Sequence, residues 1–361
     1  MEPQDRQTAF SGTGEVKDGL GFDRARLEAF LAARLKDFSG PLQLAQFKGG
    51  QSNPTYLLTT PLLRYVLRRK PPGKLLPSAH AVDREFRVLS ALYPKKFPVP
   101  EPLLFCGDDS VIGTAFYVMA HVQGRVFWEP AMPDAAPGER RAVYDAMNAT
   151  LARLHAFEPA ALGLSDFGKG ENYVARQIAR WTEQYQASKT EEIVEMERLA
   201  RFLPKNLPPP APARLVHGDY RLDNLIIDLS SPSVAAVIDW ELSTLGDPLA
   251  DFTYHLMPWE MPRFESGTGF GSLADCDLAA LGIPARDAYV ESYAARTGLD
   301  PRPQLDLYLA YNFFRLAAIT QGIVGRARDG TAANPNAAVM SRAVRPLAET
   351  AWRFACRAGA R

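Results

Sequence analysis

Two carboxylates and a carboxamide, Asp219, Asn224 and Asp239, stand at the ends of short apolar runs in the stretch LVHGDYRLDNLIIDLSSPSVAAVIDWELSTLGDPLAD, Leu215 to Asp251. The runs Leu215–Val216, Leu225–Ile227 and Val234–Ile238, separated by the loop HGDYRLDN and by a Ser/Pro turn, predict a β-hairpin. Polar groups at the ends of neighbouring strands are held rigidly and converge on one point. Like charges brought together in this way are costly, so the cluster calls for a chemical purpose. Phosphoryl transfer supplies one, because it needs a carboxylate to orient an attacking hydroxyl and accept its proton, together with oxygen ligands for magnesium.

Protein kinases meet that need with an Asp, four intervening residues, an Asn, and then a metal-binding Asp on the next hairpin. Here Tyr220, Arg221, Leu222 and Asp223 separate Asp219 from Asn224, and Asp239 opens the triplet Asp239-Trp240-Glu241. With His217-Gly218-Asp219 in place of the protein-kinase triplet, the pattern resembles the aminoglycoside phosphotransferase family of kinase-like enzymes. The resemblance covers about Leu42 to Phe314. It implies an α+β, bilobal protein-kinase-like fold, with a small antiparallel-sheet N-lobe and a larger, mainly helical C-lobe, and it implies ATP and Mg2+ as cofactors. In that reading Asp219 takes the acceptor proton, Asn224 and Asp239 bind the metal, and His217, Asp247 and Asp251 support the catalytic loop.

The elements that must position these groups are legible upstream. An amphipathic helix opens at Phe22-Asp23, with Leu27, Phe30, Leu31 and Leu35 at helical spacing; residues 1 to about 21, polar and Gly-rich, are expected to be poorly ordered. Strands follow at Leu42–Phe47, Thr55–Thr59 and Arg64–Arg69. Between the first two, Gly49, Gly50, Gln51, Ser52 and Asn53 form either a plain hairpin turn or a loop whose backbone N–H groups approach phosphates. Arg68 ends the third strand where the family usually carries Lys, and Glu85, on the helix Asp83–Leu92, is its expected partner. Arg presents a planar fork instead of a point charge. Lys70, two residues on, is the rival. Thr114–Met119 reads as the last strand of the small lobe, leading to a hinge at Ala120–Gly124 that includes His121 and whose backbone is a candidate to bind an adenine edge, with Met119 either flanking that pocket or packing in the core. The boundaries expected are an N-terminal segment 1–41, a nucleotide-binding lobe 42–121 and a catalytic, acceptor-binding lobe 122–361.

Composition narrows the partners. Lys+Arg and Asp+Glu balance at 41 each, which removes bulk attraction to nucleic acid or anionic membranes. Three isolated cysteines, Cys106, Cys276 and Cys356, lack metal-type spacing and favour a reducing interior. No apolar run approaches the roughly 18 residues of a membrane span, so the expected location is the cytoplasm.

On the acceptor side, Tyr173, Arg176, Gln177, Arg180 and Gln184 recur at three- and four-residue steps; Arg176 and Arg180 are candidates for gripping an anion, or for a solvated face. His155 is expected to pack at a helix end. The Gly-rich Glu260–Leu273 is expected to cover the acceptor site. The runs GGQSNPTYLL, YVLRRKPPGKLLPSAHAVDREFRVL and NYVARQIARW resemble the branch whose kinase domain is fused, in some animal proteins, to an acyl-CoA dehydrogenase, which implies a hydroxyacyl-CoA acceptor. Alternatives are an aminoglycoside, choline or sugar kinase, or a nucleotide-binding pseudokinase that acts as an interaction module. A polycationic aminoglycoside would demand a cluster of acids around the cover.

Overall fold

Period-two alternation in the N-terminal strands builds a sheet with two unlike faces. The computed structural model describes residues 6–49, 53–73, 80–264, 270–329 and 337–361. Helix α1 (Arg6–Phe10) leads into β1 (Thr13–Gly14), and helix α2 (Arg24–Ala32) is capped by Asp23, which accepts the Arg26 N–H at 3.0 Å. Strands β2 (Gln43–Phe47), β3 (Thr55–Thr59), β4 (Arg64–Arg69), β5 (Pro102–Cys106) and β6 (Phe116–Ala120) complete one antiparallel sheet in the order β1-β2-β3-β4-β6-β5. One face, with Tyr56, Leu58, Leu67, Phe116 and Val118, packs on Leu27 and Leu31 of α2. The other presents Val66, Arg68, Tyr117 and Met119 to a cleft. The register sets Arg68 between Thr55 and Tyr117. Helix α3 (Val82–Leu92) buries Val82, Val88, Leu89 and Leu92 together with Glu85.

The segment before residue 42 therefore carries one strand and two helices where one helix was expected, and α1 and β1 fall within the stretch expected to be poorly ordered. Strand β5 also escaped the sequence, because Pro98, Pro100 and Pro102 mask a strand pattern.

The lobes join through Ala120–Gly124. Arg125 and Ile227 exchange both backbone hydrogen bonds at 2.8 Å, which pins the linker to the catalytic region. A Cβ on Gly124 would fall 2.3 Å from Ile226 Cγ2, so this close crossing admits only glycine. The large lobe carries β7 (Arg214–Val216), β8 (Leu225–Ile227), β9 (Val234–Val237) and β10 (Thr244–Gly246). Its helices are α4 (Pro137–Ala156), α5 (Tyr173–Ser188), α6 (Val194–Phe202), α7 (Pro248–His255), α8 (Leu278–Leu281), α9 (Arg286–Thr297), α10 (Leu305–Arg328) and α11 (Ala337–Arg357). Helix α10 is apolar almost all round and runs through the core against α5, α7 and α11. Among the described residues no helix is long and apolar enough to cross a membrane.

Behind the catalytic region lies an aromatic cluster. His255, at the end of α7, is buried with its Nε2 2.7 Å from the Tyr289 hydroxyl, and burial pulls its pKa down to about 4. A histidine depressed in this way binds fewer protons folded than unfolded. The stability it confers is complete above pH 6.5 and is lost as pH falls toward 4, amounting to about 3 kcal/mol. Thermal melts across pH 7 to 4 should fall more steeply for the parent protein than for His255→Gln.

Candidate active site

Strand β7 delivers the chain into His217-Gly218-Asp219, and a buried carboxylate shapes the turn. Asp251 of α7 accepts the His217 N–H on one oxygen and the Gly218 N–H on the other, both at 2.8 Å, and His155 donates to it from Nε2 at 3.2 Å. Burial would raise this carboxyl, but His155 and the loop's donors outweigh it and hold it below the usual carboxylate range. His155, expected only to pack, is a polar strut between Asp251 and the Tyr293 hydroxyl, 2.7 Å from Nδ1. Asp247 caps α7 through the Leu249 N–H at 2.8 Å and accepts the Tyr308 hydroxyl at 2.7 Å; burial raises its pKa.

The His217 ring is oriented by its hydrogen bonds. Its Nε2 lies 3.0 Å from the Ile238 carbonyl, which can only accept, and its Nδ1 takes the Asp219 N–H at 3.2 Å. It is therefore the neutral Nε2–H tautomer. Gly218 holds φ +82°, and a Cβ there would lie 2.7 Å from the Leu242 carbonyl oxygen. Gly218→Ala should cost about 2–4 kcal/mol, read as a lowered melting temperature with activity falling in parallel.

The expected hairpin forms from β8 and β9, while its entry strand pairs elsewhere. Strand β7 pairs with β10, which the sequence reading missed. Asp239 lines the cleft between the lobes, and Asp219 is tied to it through Asn224. Asn224 donates from Nδ2 to the Asp219 carboxylate at 3.0 Å and to its backbone carbonyl at 2.9 Å. From the other side the Tyr254 hydroxyl donates to Asp219 Oδ1 at 2.7 Å, and Arg221 Nε stands 3.6 Å from the same oxygen. With its Nδ2 turned to Asp219, Asn224 has its Oδ1 left for other bonds.

Asp239 holds a left-handed backbone, φ +66° and ψ 59°, immediately after β9. Arg68 reaches it with Nη2 at 2.5 Å while its Nε lies 2.9 Å from Glu85, so one guanidinium spans two acids. Glu85, 1 % exposed, also receives the Tyr117 hydroxyl at 3.1 Å and Asn53 Nδ2 at 2.9 Å. Burial pushes the Glu85 carboxyl up and the Arg68 charge opposes it; with three donors converging, we assign the carboxylate form.

A cavity of about 600 Å³ separates the lobes. Gly49, Arg68, Met119, His121, Asn224 and Asp239 all line it, whereas Lys70 does not. His121 is half-buried and pulled down by burial and by Arg64. Gly50, Gln51 and Ser52 lie outside the described residues. Asn53 departs from the expected cradle: its side chain turns away from the cavity and bridges Glu85 to His80, which donates from Nδ1 at 2.9 Å. A volume of this size suits a nucleotide, with the hinge and Met119 at one end and the acids at the other. Among the described residues no three His, Cys, Asp or Glu side chains close on a metal by themselves. One carboxylate, one amide oxygen and the phosphates of a nucleotide form the open, all-oxygen set that magnesium takes.

A second, smaller cavity opens beside the first. Trp128, Met257, Met261, Phe270 and Leu316 make it largely apolar, with Arg221, Asp223 and Tyr254 at its polar end. Trp128 and Asp223 line both cavities. Met261, Phe270 and Gly271 come from the expected cover, of which residues 265–269 lie outside the described residues. Arg176 and Arg180 line neither cavity. Both are exposed, Arg176 bonded to the Lys169 carbonyl and Arg180 packed over Trp181, as on the solvated face that was the alternative to an anion grip.

A family model described as "Phosphotransferase enzyme family", APH, matches residues 43–308. The chain belongs to this phosphotransferase family. The phosphotransferase is 45 % identical to a Ralstonia eutropha protein of known structure provisionally named an aminoglycoside phosphotransferase, with a TM-score of 0.84 over 93 % of this chain and 99 % of that one. The ternary complex of aminoglycoside phosphotransferase APH(4)-Ia with AMP-PNP and hygromycin B shares the fold, with a TM-score of 0.58 at 17 % identity over 91 % of this chain and 98 % of that one. Acyl-CoA dehydrogenase family member 10 of Mus musculus is 43 % identical over 97 % of this chain, which spans only 33 % of that relative. This phosphotransferase is a small-molecule kinase with the kinase-like fold, and nucleotide use follows from the family.

Proposed function

We propose that this phosphotransferase moves the γ-phosphoryl group of ATP, with magnesium, to the hydroxyl of a hydroxyacyl-CoA. The observation that carries the reading is that Asp219, which lines neither cavity itself, is hydrogen-bonded to a lining residue of each. On one side it is bonded to Asn224, which lines the nucleotide cleft; on the other it is bonded to Tyr254, which lines the apolar cavity. A hydroxyl entering from the apolar side meets Asp219 as it faces the nucleotide. Asp219 orients that hydroxyl and takes its proton during transfer. Arg68, held by Glu85, grips nucleotide phosphates, and the backbone at Gly49 approaches them. Magnesium held by Asn224, Asp239 and the phosphates would neutralise the charge that develops on the transferring group.

The acceptor side supports an acyl chain over an antibiotic. Its one lining carboxylate among the described residues, Asp223, is ion-paired to Arg221 at 2.5 Å, so nothing there matches a polycation. The name of the Mus musculus relative points the same way. The test is ADP release from ATP and magnesium across hydroxyacyl-CoAs, aminoglycosides, choline and sugars, with Asp219→Asn as the blank. Turnover confined to hydroxyacyl-CoAs is the expected result. Turnover on an aminoglycoside alone would reverse the acceptor assignment, and nucleotide binding without turnover on any acceptor would favour the pseudokinase.

A further inference from the structure

Arg315 stands in the middle of α10, 6 % exposed, and among the described residues no carboxylate forms an ion pair with it. Its Nη2 donates to the Gly218 carbonyl at 2.8 Å, its guanidinium lies 4.9 Å from the centre of the Tyr254 ring, and its Nε is enclosed without a partner. Taking a guanidinium out of water is costly, and an apolar side chain would fill this core position at less expense. A charge kept there calls for a purpose. Both of its contacts lead to Asp219. Gly218, the preceding residue, has its N–H held by Asp251 of α7 at 2.8 Å, so this turn with φ +82° is fixed at its N–H by a buried acid and at its carbonyl by a buried cation. Tyr254 donates from its hydroxyl to Asp219 Oδ1 at 2.7 Å while its ring packs on the guanidinium. Burial works against the Arg315 charge, but Tyr311, Tyr173, Tyr254 and Asp219 outweigh it and raise its pKa.

We propose that Arg315 is a positioning residue for phosphoryl transfer: from inside the core it balances the charge of Asp219 and, through the Gly218 carbonyl and Tyr254, fixes the loop and the carboxylate that meet the acceptor hydroxyl. Arg315, Gly218 and Tyr254 do not line the nucleotide cleft, so the effect falls on transfer and leaves nucleotide binding alone.

This rests on Asp219 being the group that takes the acceptor's proton. The test compares Arg315→Met, which fills the space without the charge, with Arg315→Lys, which keeps the charge. With a hydroxyacyl-CoA that the parent turns over, Arg315→Met should lower kcat about 10²-fold, the scale on which a misplaced catalytic group acts, while ADP affinity by calorimetry stays within about twofold of the parent. Arg315→Lys should be the faster of the two variants. In the ligand-free protein, Arg315→Met should lower the melting temperature less when Asp219→Asn is already present than when it is absent, because the acid that balanced the guanidinium is gone. Should Arg315→Met not fold, the cycle is run between Arg315→Lys and Tyr254→Phe, whose effects on kcat should be less than additive. Additive effects in the cycle that is run overturn the proposal, as does an ADP affinity that falls in proportion to kcat, which would make Arg315 a packing residue only. A parent that turns over no acceptor overturns the reading of Asp219 as the base; the melts need no acceptor and separate that failure from a failure of the link to Arg315.

Discussion

Asp219→Asn is expected to bind ATP and magnesium much as the parent does and to turn over about 10³- to 10⁴-fold more slowly, the scale on which a positioned base acts. The substitution preserves shape but removes the site for the hydroxyl's proton. Asn224 and Tyr254, which donate to the Asp219 carboxylate in the parent, are then left to share a single amide oxygen. Neither can substitute as a base, since one is an amide and burial keeps the other's hydroxyl protonated. Calorimetry with a non-hydrolysable ATP analogue and ADP release under saturating acceptor separate the two effects. A variant that loses nucleotide affinity in proportion to turnover would make Asp219 a binding residue instead.

Asp239→Ala is expected to lose the dependence of nucleotide affinity on magnesium and, with it, about 10³-fold or more in turnover. Asp239 lines the same cleft as Asn224 and is held in a left-handed backbone that few residues adopt. In the free protein Arg68 occupies one of its oxygens, so the guanidinium keeps the carboxylate in place before a metal arrives. Without Asp239, Arg68 retains Glu85 at 2.9 Å and Glu241 at 3.6 Å, and the fold should hold. The measurement is nucleotide affinity with and without magnesium in parent and variant. Equal affinities in the parent would sink the metal assignment of Asn224 and Asp239 together.

The two cases differ in what surrounds the carboxylate. Asp219 is bonded by Asn224 and Tyr254 with Arg221 at 3.6 Å, whereas Asp239 is gripped by Arg68 at 2.5 Å. Two acids a few residues apart in pattern thus acquire different duties from their neighbours.

Much of this was legible in the chain. Asp219, Asn224 and Asp239 sit at strand ends flanked by apolar runs, and apolar alternation carries its own signal for strands. Strands β2, β3 and β4 and the helices α2, α3, α4, α5, α9, α10 and α11 follow from apolar period, whereas α6, α7 and α8 were not legible, and the pairing of Arg68 with Glu85 followed from the family resemblance. The pairing of β7 with β10 was not legible, because three-residue strands carry too little pattern to name a partner. Asn53 looked like part of a phosphate loop by position alone, yet its amide is drawn to the buried Glu85 charge. Arg176 and Arg180 shared a helical face with no indication of where that face would point.

By itself the sequence determined the chemistry: residue types and their spacing decide which groups can take a proton, bind a metal or grip a phosphate. Tertiary structure alone decided which groups meet. Tyr254 and Arg221 reach Asp219, Asp251 shapes the turn that presents it, and α1 crosses to Trp128 over more than a hundred residues of chain. Such contacts join positions far apart in sequence, where no local periodicity records the partner. Burial then sets the charge of each group through the cost of removing it from water.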